Sequence, residues 1–167
     1  MVVGMTARGD GSLTGTGSVT CRPAVQGDLP RIVALLADDP IGRSRENPGH
    51  PMDTRYRDAF AAIERDPNHV LAVADRGGHL IGVLQLSFIP GLSLQGMWRG
   101  QIEGVRVAAG ERARGVGRAM LEWAIEECRR RGCGLVQLTS DKRRIDAHRF
   151  YERLGFEATH QGYKLAL

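Results

Sequence analysis

The segment from Gln101 to Arg131 constrains the fold more than any other part of the chain. An apolar strand is predicted over Gln101–Ala108, and a loop rich in arginine and glycine follows it. A strong amphipathic helix is then predicted over Gly115–Arg131, with basic residues in its last turn and Gly132 after its end. A strand, a glycine-rich loop and a helix therefore follow one another without a break.

The other periodicities predict a layered α+β fold. Apolar runs on both sides of Gly77-Gly78 are typical of a β-hairpin over His69–Ile89. Asp28 is a good N-cap for a first helix, and Asp53–Arg65 is predicted as a second. Further strands are predicted over Val19–Pro23, Leu135–Thr139 and, as one or two short strands, Phe156–Leu167, with a short helix over residues 145–154. The order β-α-α-β-β-β-α-β-α-β indicates a sheet with helices packed on it.

Composition favours one folded domain behind a tail. The chain has 167 residues, of which 42% are hydrophobic and 25% charged, a composition typical of a globular protein that argues against disorder throughout. Residues 1–18 are rich in Gly, Ser and Thr and are predicted as a flexible tail, with a single domain over 19–167. No apolar run approaches the length of a bilayer span, and residues 1–18 lack the pattern of a secretory signal, so we expect a cytoplasmic protein without membrane contact.

The spacing of the cysteines and the mild net charge argue against a metal site and against a nucleic-acid partner. The three cysteines are far apart and form no CxxC pair, and the five histidines lack metal-ligand spacing, so no metal site is expected. The formal charge of +4 is too mild to demand nucleic acid. It suits an anionic small molecule, provided that the clustered arginines converge.

The loop before the long helix has the features of an anion site. Gly115 and Gly117 let the backbone approach a ligand, and the helix start offers unpaired N–H groups. Arg112, Arg114 and Arg118 add positive charge, although solvated arginines are the alternative interpretation. The Lys and Ser/Thr of a triphosphatase loop are absent, and so are the third glycine and the acidic residue of a dinucleotide fingerprint.

Two segments of the chain resemble one known family. Arg112-Ala113-Arg114-Gly115-Val116-Gly117 resembles the Q/R-x-x-G-x-G/A signature of the GNAT N-acetyltransferase superfamily. The block from Ala147 through Phe150-Tyr151 to Gly155-Phe156 resembles the A-x-x-F-Y-x-x-x-G-F block of the same family. Both occur in the family's order, one helix and one strand apart, so the resemblance extends over residues 19–167. It implies a mixed, mostly antiparallel sheet flanked by about four helices in three α/β/α layers.

The resemblance implies acetyl-CoA as co-substrate. The N–H groups of residues 112–117, with Arg118 beside them, would hold its pyrophosphate. The strand before the loop would separate from its neighbour and offer backbone groups of Val105, Arg106 and Val107 to the pantetheine arm. Phe150 joins this set of cofactor-binding residues. Basic residues 142–144 would contact the adenosine 3′-phosphate, with a solvated surface as the alternative.

The resemblance also assigns the catalytic residues. Tyr151 matches the family's proton donor to the leaving thiolate, although its place on the apolar side of a helix also suits simple packing. Glu103 is the candidate base, since strand alternation is expected to put it on one face with Val105 and Val107. Gln101 is on the same face, so the assignment is not unique. The alternative for Glu103 is a half-exposed carboxylate paired with an arginine such as Arg99.

The acceptor site is expected between two connections, residues 38–52 and 90–100. Asp39, together with Asp38 and Glu46, is predicted to attract a cationic amine, and Trp98 with Met97 to form an apolar wall. A position of Trp98 in the core or in a dimer interface is an alternative of equal weight to its place in the acceptor site. Arg144 stands where many family members have Asn, which is a departure in the cofactor pocket.

The expected activity is transfer of an acetyl group to a primary amine, which attacks the thioester directly. A small molecule is the leading expectation for the acceptor. A protein N-terminus or lysine as acceptor, and a CoA-binding regulatory module without turnover, are the alternatives. A homodimer is a family expectation.

Overall fold

The centre of the molecule is a five-stranded sheet in which the strands follow their order in the chain. The computed structural model describes residues 18–39, 43–49 and 51–167, so the predicted tail lies outside the described residues except for Ser18. Neighbouring strands pair antiparallel from the first to the fourth, and the fourth pairs parallel with the fifth. The strands are β1 (Thr20–Pro23), β2 (His69–Arg76), β3 (His79–Pro90), β4 (Trp98–Val107) and β5 (Leu135–Leu138).

Helices connect and cover these strands. A helix of four residues, α3, contains Leu94 and Gln95 in left-handed conformation, so it is a tight turn between β3 and β4. None of the helices in the described residues combines the length and the apolar character that crossing a membrane requires. The helices are α1 (Leu29–Ala37), α2 (Thr54–Arg65), α3 (Ser93–Gly96), α4 (Val116–Arg130) and α5 (Ile145–Glu152), with 3₁₀ turns at Gln26–Asp28 and Ala109–Glu111.

Two hydrophobic clusters lie on opposite faces of the sheet. On one face α4 inserts Met120 and Leu121 against Leu84 and Leu86 of β3. On the other face α1 packs on the sheet through side chains that include Ile32, beside Val73 and Val83. Residues that alternate along β3 therefore belong to different layers, as a strand buried on both faces requires. The predicted α+β class with helices on both sides of a mixed sheet is confirmed.

The hairpin of β2 and β3 agrees with its sequence signal. Gly77 and Gly78 form its turn with φ of 61° and 82°. Two consecutive residues with positive φ are typical of the tight turns that match the twist of paired strands. The hairpin is therefore determined locally.

A bulge in β4 changes which side chains share a face. β4 has one residue more than β3 between the pairs Gln85↔Glu103 and Val83↔Arg106, and Gly104 in this interval has φ of 62°. Because of the extra residue, the alternation shifts by one position. Glu103 shares a face with Arg106, whereas Val105 and Val107 pack with the α4 cluster. The expectation that Glu103, Val105 and Val107 lie on one face is therefore wrong.

The parallel pair β4–β5 separates toward one end of the sheet. Pairing runs from Arg99↔Leu135 to Ile102↔Leu138, where β5 ends, whereas β4 continues to Val107 beside β3 alone. The backbone edge of β4 after Ile102 therefore has no neighbour from β5. This opening lies at the end of β4 that leads into the glycine-rich loop.

The predicted strands after Phe156 are absent from the structure. Residues 157–167 are exposed and form no strand in the described part of the chain. Tyr163, Leu165 and Leu167 alternate as in a strand, but no neighbouring strand supplies hydrogen bonds to them. Alternation is therefore not sufficient, because a strand forms only where a partner backbone is present.

Candidate functional site

A row of unpaired backbone N–H groups lies at the start of α4. Ala113 and Gly115 have φ of 61° and 79°, and Gly115 caps the helix without a side-chain hydrogen bond. Within the described residues, the N–H groups of residues 113–118 donate to no protein acceptor. Unpaired N–H groups at the positive end of a helix dipole are a binding site for an anion.

The arginines of this loop are largely engaged elsewhere. Arg112 donates from Nε to the Val107 carbonyl at 3.2 Å and from Nη2 to the Asp38 carbonyl at 3.0 Å, which ties the loop to the end of α1. Arg114 lies 3.7 Å from Glu111, and Arg118 lies 3.1 Å from Glu122. Since these ion pairs are half-exposed, the arginine charge stays near the loop and adds to the attraction of the N–H groups for an anion.

Helix α5 packs directly on the start of α4. A Cβ atom added to Gly117 would lie 3.4 Å from Cζ of Phe150, so the Phe150 ring covers this glycine. Val116, the first residue of α4, is buried in the core on the same side. The two segments that carry the family resemblance are therefore brought together in space.

Tyr151 lies in an aromatic environment beside two positive charges. Its ring centroid is 5.4 Å from that of Phe150 and 6.1 Å from that of Phe156. Burial raises the pKa of the Tyr151 hydroxyl, while the charges of Arg106 and Arg144 act to lower that pKa. The hydroxyl therefore holds its proton at neutral pH, and it makes no hydrogen bond within the described residues.

The same two arginines bind a buried aspartate. Arg106 Nη2 lies 3.4 Å from Asp39 Oδ2, and Arg144 Nη2 contacts the same oxygen at shorter range. Asp39 follows α1, Arg106 belongs to β4, and Arg144 is the N-cap of α5. Three elements are therefore joined at one carboxylate.

Glu103 is exposed on β4, next to the bulge. It shares its face with Arg106 and with Gln101, whose Oε1 accepts a hydrogen bond from Gln137 Nε2 of β5 at 2.7 Å. Among the described residues, Glu103 forms no ion pair and no side-chain hydrogen bond. The alternative pairing with Arg99 does not occur. The role of Glu103 as a base stays a prediction.

The acidic residues predicted at the acceptor site are all engaged. Asp38 lies 3.6 Å from Arg112, and Glu46 accepts a hydrogen bond from the Tyr56 hydroxyl at 2.8 Å. Asp39 is held between two arginines. A role of Asp39 toward the substrate stays a prediction, but its charge is not available to a cationic amine by itself.

The structure does not bring Trp98 together with the other predicted site residues. Trp98 begins β4, whereas Arg106 lies near its other end. At about 3.3 Å per residue the two are separated by roughly 25 Å. Met97 beside it packs on Gly134, where an added Cβ would lie 2.2 Å from Sδ.

The structure brings the side chains of Arg106 and Arg144 together at Asp39, an arrangement that the sequence does not predict. The family resemblance implies only the backbone of Arg106, and it places residues 142–144 at the 3′-phosphate. In the structure Arg144 points to Asp39 and Arg143 pairs with Asp141 at 2.8 Å. The only available signal is the presence of arginine at position 144 in place of the family's usual asparagine.

No metal site is present among residues 18–39, 43–49 and 51–167: they contain no group of three or more His, Cys, Asp or Glu placed to hold an ion. The three cysteines are free thiols. What the site offers is a set of N–H groups for an anion, an opening between two strands, a protonated tyrosine and an arginine pair.

Comparisons with known proteins agree with this geometry. The model of the acetyltransferase (GNAT) family matches residues 30–156. The sequence is similar to an aminoalkylphosphonate N-acetyltransferase from Salmonella typhimurium, with 37% identity over 112 residues, which are 67% of this chain and 72% of that protein.

Two solved structures cover nearly the whole chain. A transcriptional regulator from Bacillus halodurans C-125 is 48% identical, with a TM-score of 0.88 over 90% of this chain and 100% of that one. A Trypanosoma brucei acetyltransferase is 26% identical, with a TM-score of 0.73 over 90% of this chain and 100% of that one.

Proposed function

Since the chain belongs to the acetyltransferase (GNAT) family and is an N-acetyltransferase, we propose that it moves an acetyl group from acetyl-CoA to the primary amine of a small molecule by direct attack. The observation that carries this proposal is the row of unpaired N–H groups over residues 113–118, at the opening between β4 and β5. A pyrophosphate fits the N–H groups, and a pantetheine arm fits the free edge of β4.

Tyr151 supplies the proton that the leaving thiolate needs. The amine nitrogen bonds to the acyl carbon, the carbon–sulfur bond breaks, and the sulfur takes the Tyr151 proton. A raised pKa suits this role, because the hydroxyl stays protonated until the thiolate forms. The absence of a hydrogen-bond partner within the described residues leaves the hydroxyl free to donate.

Glu103 accepts the proton that the amine loses, through a water molecule. It is exposed beside the opening, on the face of β4 that also carries Arg106. The products are the acetylated amine and the free CoA thiol. Solvent then returns a proton to Tyr151 and removes one from Glu103, so the protons balance.

A small molecule is the proposed acceptor. The name of the Salmonella relative describes a small amine as its substrate, which supports this assignment over a protein N-terminus or lysine. A cytoplasmic location and a homodimer stay predictions, because contacts within one chain do not bear on either.

The substitution Tyr151→Phe tests the mechanism. Phenylalanine keeps the ring packing with Phe150 and Phe156 and removes only the hydroxyl. We expect kcat to fall about 100-fold, within the range for loss of a general acid, with little change in the KM for acetyl-CoA. The measurement is thiol release over a panel of amines. Tyr163→Phe is the matched control, because Tyr163 is 86% exposed at the end of the chain. Equal rates for wild type and Tyr151→Phe would exclude Tyr151 as the donor.

A CoA-binding regulator without turnover is the second candidate. The Bacillus halodurans structure is named a transcriptional regulator, which supports a regulatory role and says nothing of CoA or of turnover. Calorimetry separates the two functions: tight CoA binding without thiol release from any amine would support the regulator, whereas turnover supports the enzyme.

A further inference from the structure

Arg106, Arg144 and Asp39 form a charge cluster that a ligand can reach. The two arginine side chains are 24% and 27% exposed, whereas the Asp39 side chain is 7% exposed. The guanidinium groups come from β4 and from the start of α5, so they approach from two directions. The positive part of the cluster therefore faces solvent and its carboxylate is buried.

Two guanidinium groups share one carboxylate oxygen in this cluster. Both bond Asp39 Oδ2. Glu46 also acts on Arg106 electrostatically, but more weakly than Asp39, and its carboxylate accepts the Tyr56 hydroxyl. Two guanidinium charges against one bound carboxylate leave the cluster with an excess of positive charge, which attracts a further anion.

Arg106 has a buried donor without a partner. Its Nη1 donates to the Val105 carbonyl at 2.7 Å, but its Nε has no hydrogen-bond acceptor in the described part of the chain and is buried. Burial, with the charge of Arg144, lowers the pKa of the Arg106 guanidinium despite Asp39. An unpaired buried donor is costly, and since a ligand cannot reach the buried Nε, the other contacts of Arg106 must offset that cost.

The cluster also adjoins the proposed proton donor. Both guanidinium charges act on the Tyr151 hydroxyl, so all three groups share one environment. An acceptor whose amine reacts beside Tyr151 would therefore lie in the electrostatic field of both guanidinium groups.

We propose that the acceptor is a small amine with an anionic group, a carboxylate, phosphonate or phosphate, that binds between Arg106 and Arg144. This inference rests on the proposed N-acetyltransferase function. It makes the two arginines the residues that determine acceptor specificity, with Asp39 holding them in position.

A panel of matched amines tests the proposal on the wild-type enzyme. The probes are 2-aminoethylphosphonate, β-alanine, neutral propylamine and cationic 1,3-diaminopropane, measured by thiol release with acetyl-CoA. We expect kcat/KM for at least one anionic amine to exceed that for propylamine by about 10-fold or more, the effect of a charge-assisted hydrogen bond. The ratio between the two anionic amines then identifies the preferred anion.

The variant Arg144→Gln tests the residue assignment. The preference for the anionic amine over propylamine is expected to fall about 10-fold or more, through a higher KM for the anionic amine. Arg129→Gln is the matched control, since Arg129 lies on the outer side of α4, 70% exposed and 3.3 Å from Glu126. If Arg144→Gln fails to fold, Arg144→Lys takes its place, which keeps the charge and loses the planar fork.

The outcomes separate this proposal from the function on which it rests. If propylamine or 1,3-diaminopropane had a kcat/KM equal to or above that of both anionic amines, the proposal of an anionic acceptor would be overturned. The proposed acetyltransferase function would stand. An Arg144→Gln variant that keeps the full preference would overturn the assignment of the arginines. Absence of turnover for every amine, with CoA bound, would instead overturn the proposed function.

Discussion

Two residues of the loop before α4 share a left-handed backbone, and only one of them is glycine. Ala113 has φ of 61° and Gly115 has φ of 79°. A side chain in this conformation costs about 1 to 2 kcal/mol, because Cβ crowds the backbone. No atom other than its chain neighbours would contact a Cβ on Gly115, so the penalty at Gly115 is purely conformational. The loop therefore stores strain at Ala113 and avoids it at Gly115.

Reciprocal substitutions measure this strain. Gly115→Ala is expected to lower the free energy of unfolding by about 1 kcal/mol, and Ala113→Gly to raise it by about 0.5 kcal/mol, since relief of strain exceeds the entropy cost of glycine. Urea denaturation followed by circular dichroism measures both. The two variants serve as each other's control, and equal losses at both positions would contradict the explanation.

At the scale of elements, α4 lies on β4 with no room for a side chain at Gly100. A Cβ added to Gly100 would lie 2.2 Å from Sγ of Cys128, which is 1% exposed. Burial raises the pKa of the Cys128 thiol to about 12. The thiol is thus a protonated, apolar packing group, and the glycine on the strand sets how closely the helix approaches the sheet.

A double-mutant cycle tests this contact. Gly100→Ala should lower the free energy of unfolding by about 1 to 3 kcal/mol through overpacking. In a Cys128→Ala background the same substitution should cost about 1 kcal/mol less, because the clashing sulfur is gone. Equilibrium unfolding of the four proteins gives the coupling energy. Strict additivity would show that β4 and α4 do not meet at this pair.

For the whole molecule, arginines tie the ends of separate elements together. Arg22 bonds Asp28 at 2.7 Å between β1 and the start of α1. Arg131 donates to the Pro67 carbonyl at 2.7 Å and lies over the Phe88 ring at 4.3 Å. The contacts of Arg131 join parts of the chain that are far apart in sequence, and that of Arg22 joins two successive elements. Stability therefore depends on carboxylates remaining ionised and on arginines remaining in place.

Acid should weaken the whole fold. The pKa values of Asp28, Asp53 and Asp141 lie below the ordinary 3.8, chiefly through hydrogen bonds from Arg22, Arg55 and Arg143, and that of Asp53 falls to about 2. A lowered pKa in the folded state stabilises the fold above 3.8, and this contribution is lost as pH falls toward the folded value. We therefore expect Tm to be steady from pH 7 to about 5 and to fall between about 4 and 2.

Thermal denaturation at several pH values checks this expectation. Asp28→Asn should show a lower Tm at pH 7 and a smaller decrease with acid, since it lacks one of the carboxylates. Added salt should reduce the part due to Asp53 and Asp141, because their arginine partners are largely exposed to solvent. A Tm that stays constant down to about pH 2.5 would refute the linkage.

The local features of this chain are determined by its sequence. The Gly77-Gly78 hairpin, the loop over residues 112–117 and the helix over residues 116–130 depend on neighbours within a few positions, so turn residues and helical period predict them. The order and spacing of the two family segments also indicate that the loop and α5 belong to one site.

The tertiary structure decided how distant residues meet. Arg144 and Asp39 are separated by 105 positions, and no local pattern relates them. The bulge at Gly104 moved Glu103 to the face of Arg106, because one extra residue reverses the alternation that the sequence displays. Within the described part of the chain, residues 157–167 have no neighbouring strand, and whether such a neighbour exists depends on how the rest of the sheet is arranged. The loop before α4 is thus a local property of the chain, whereas the cluster of Arg106, Arg144 and Asp39 arises only when three elements converge.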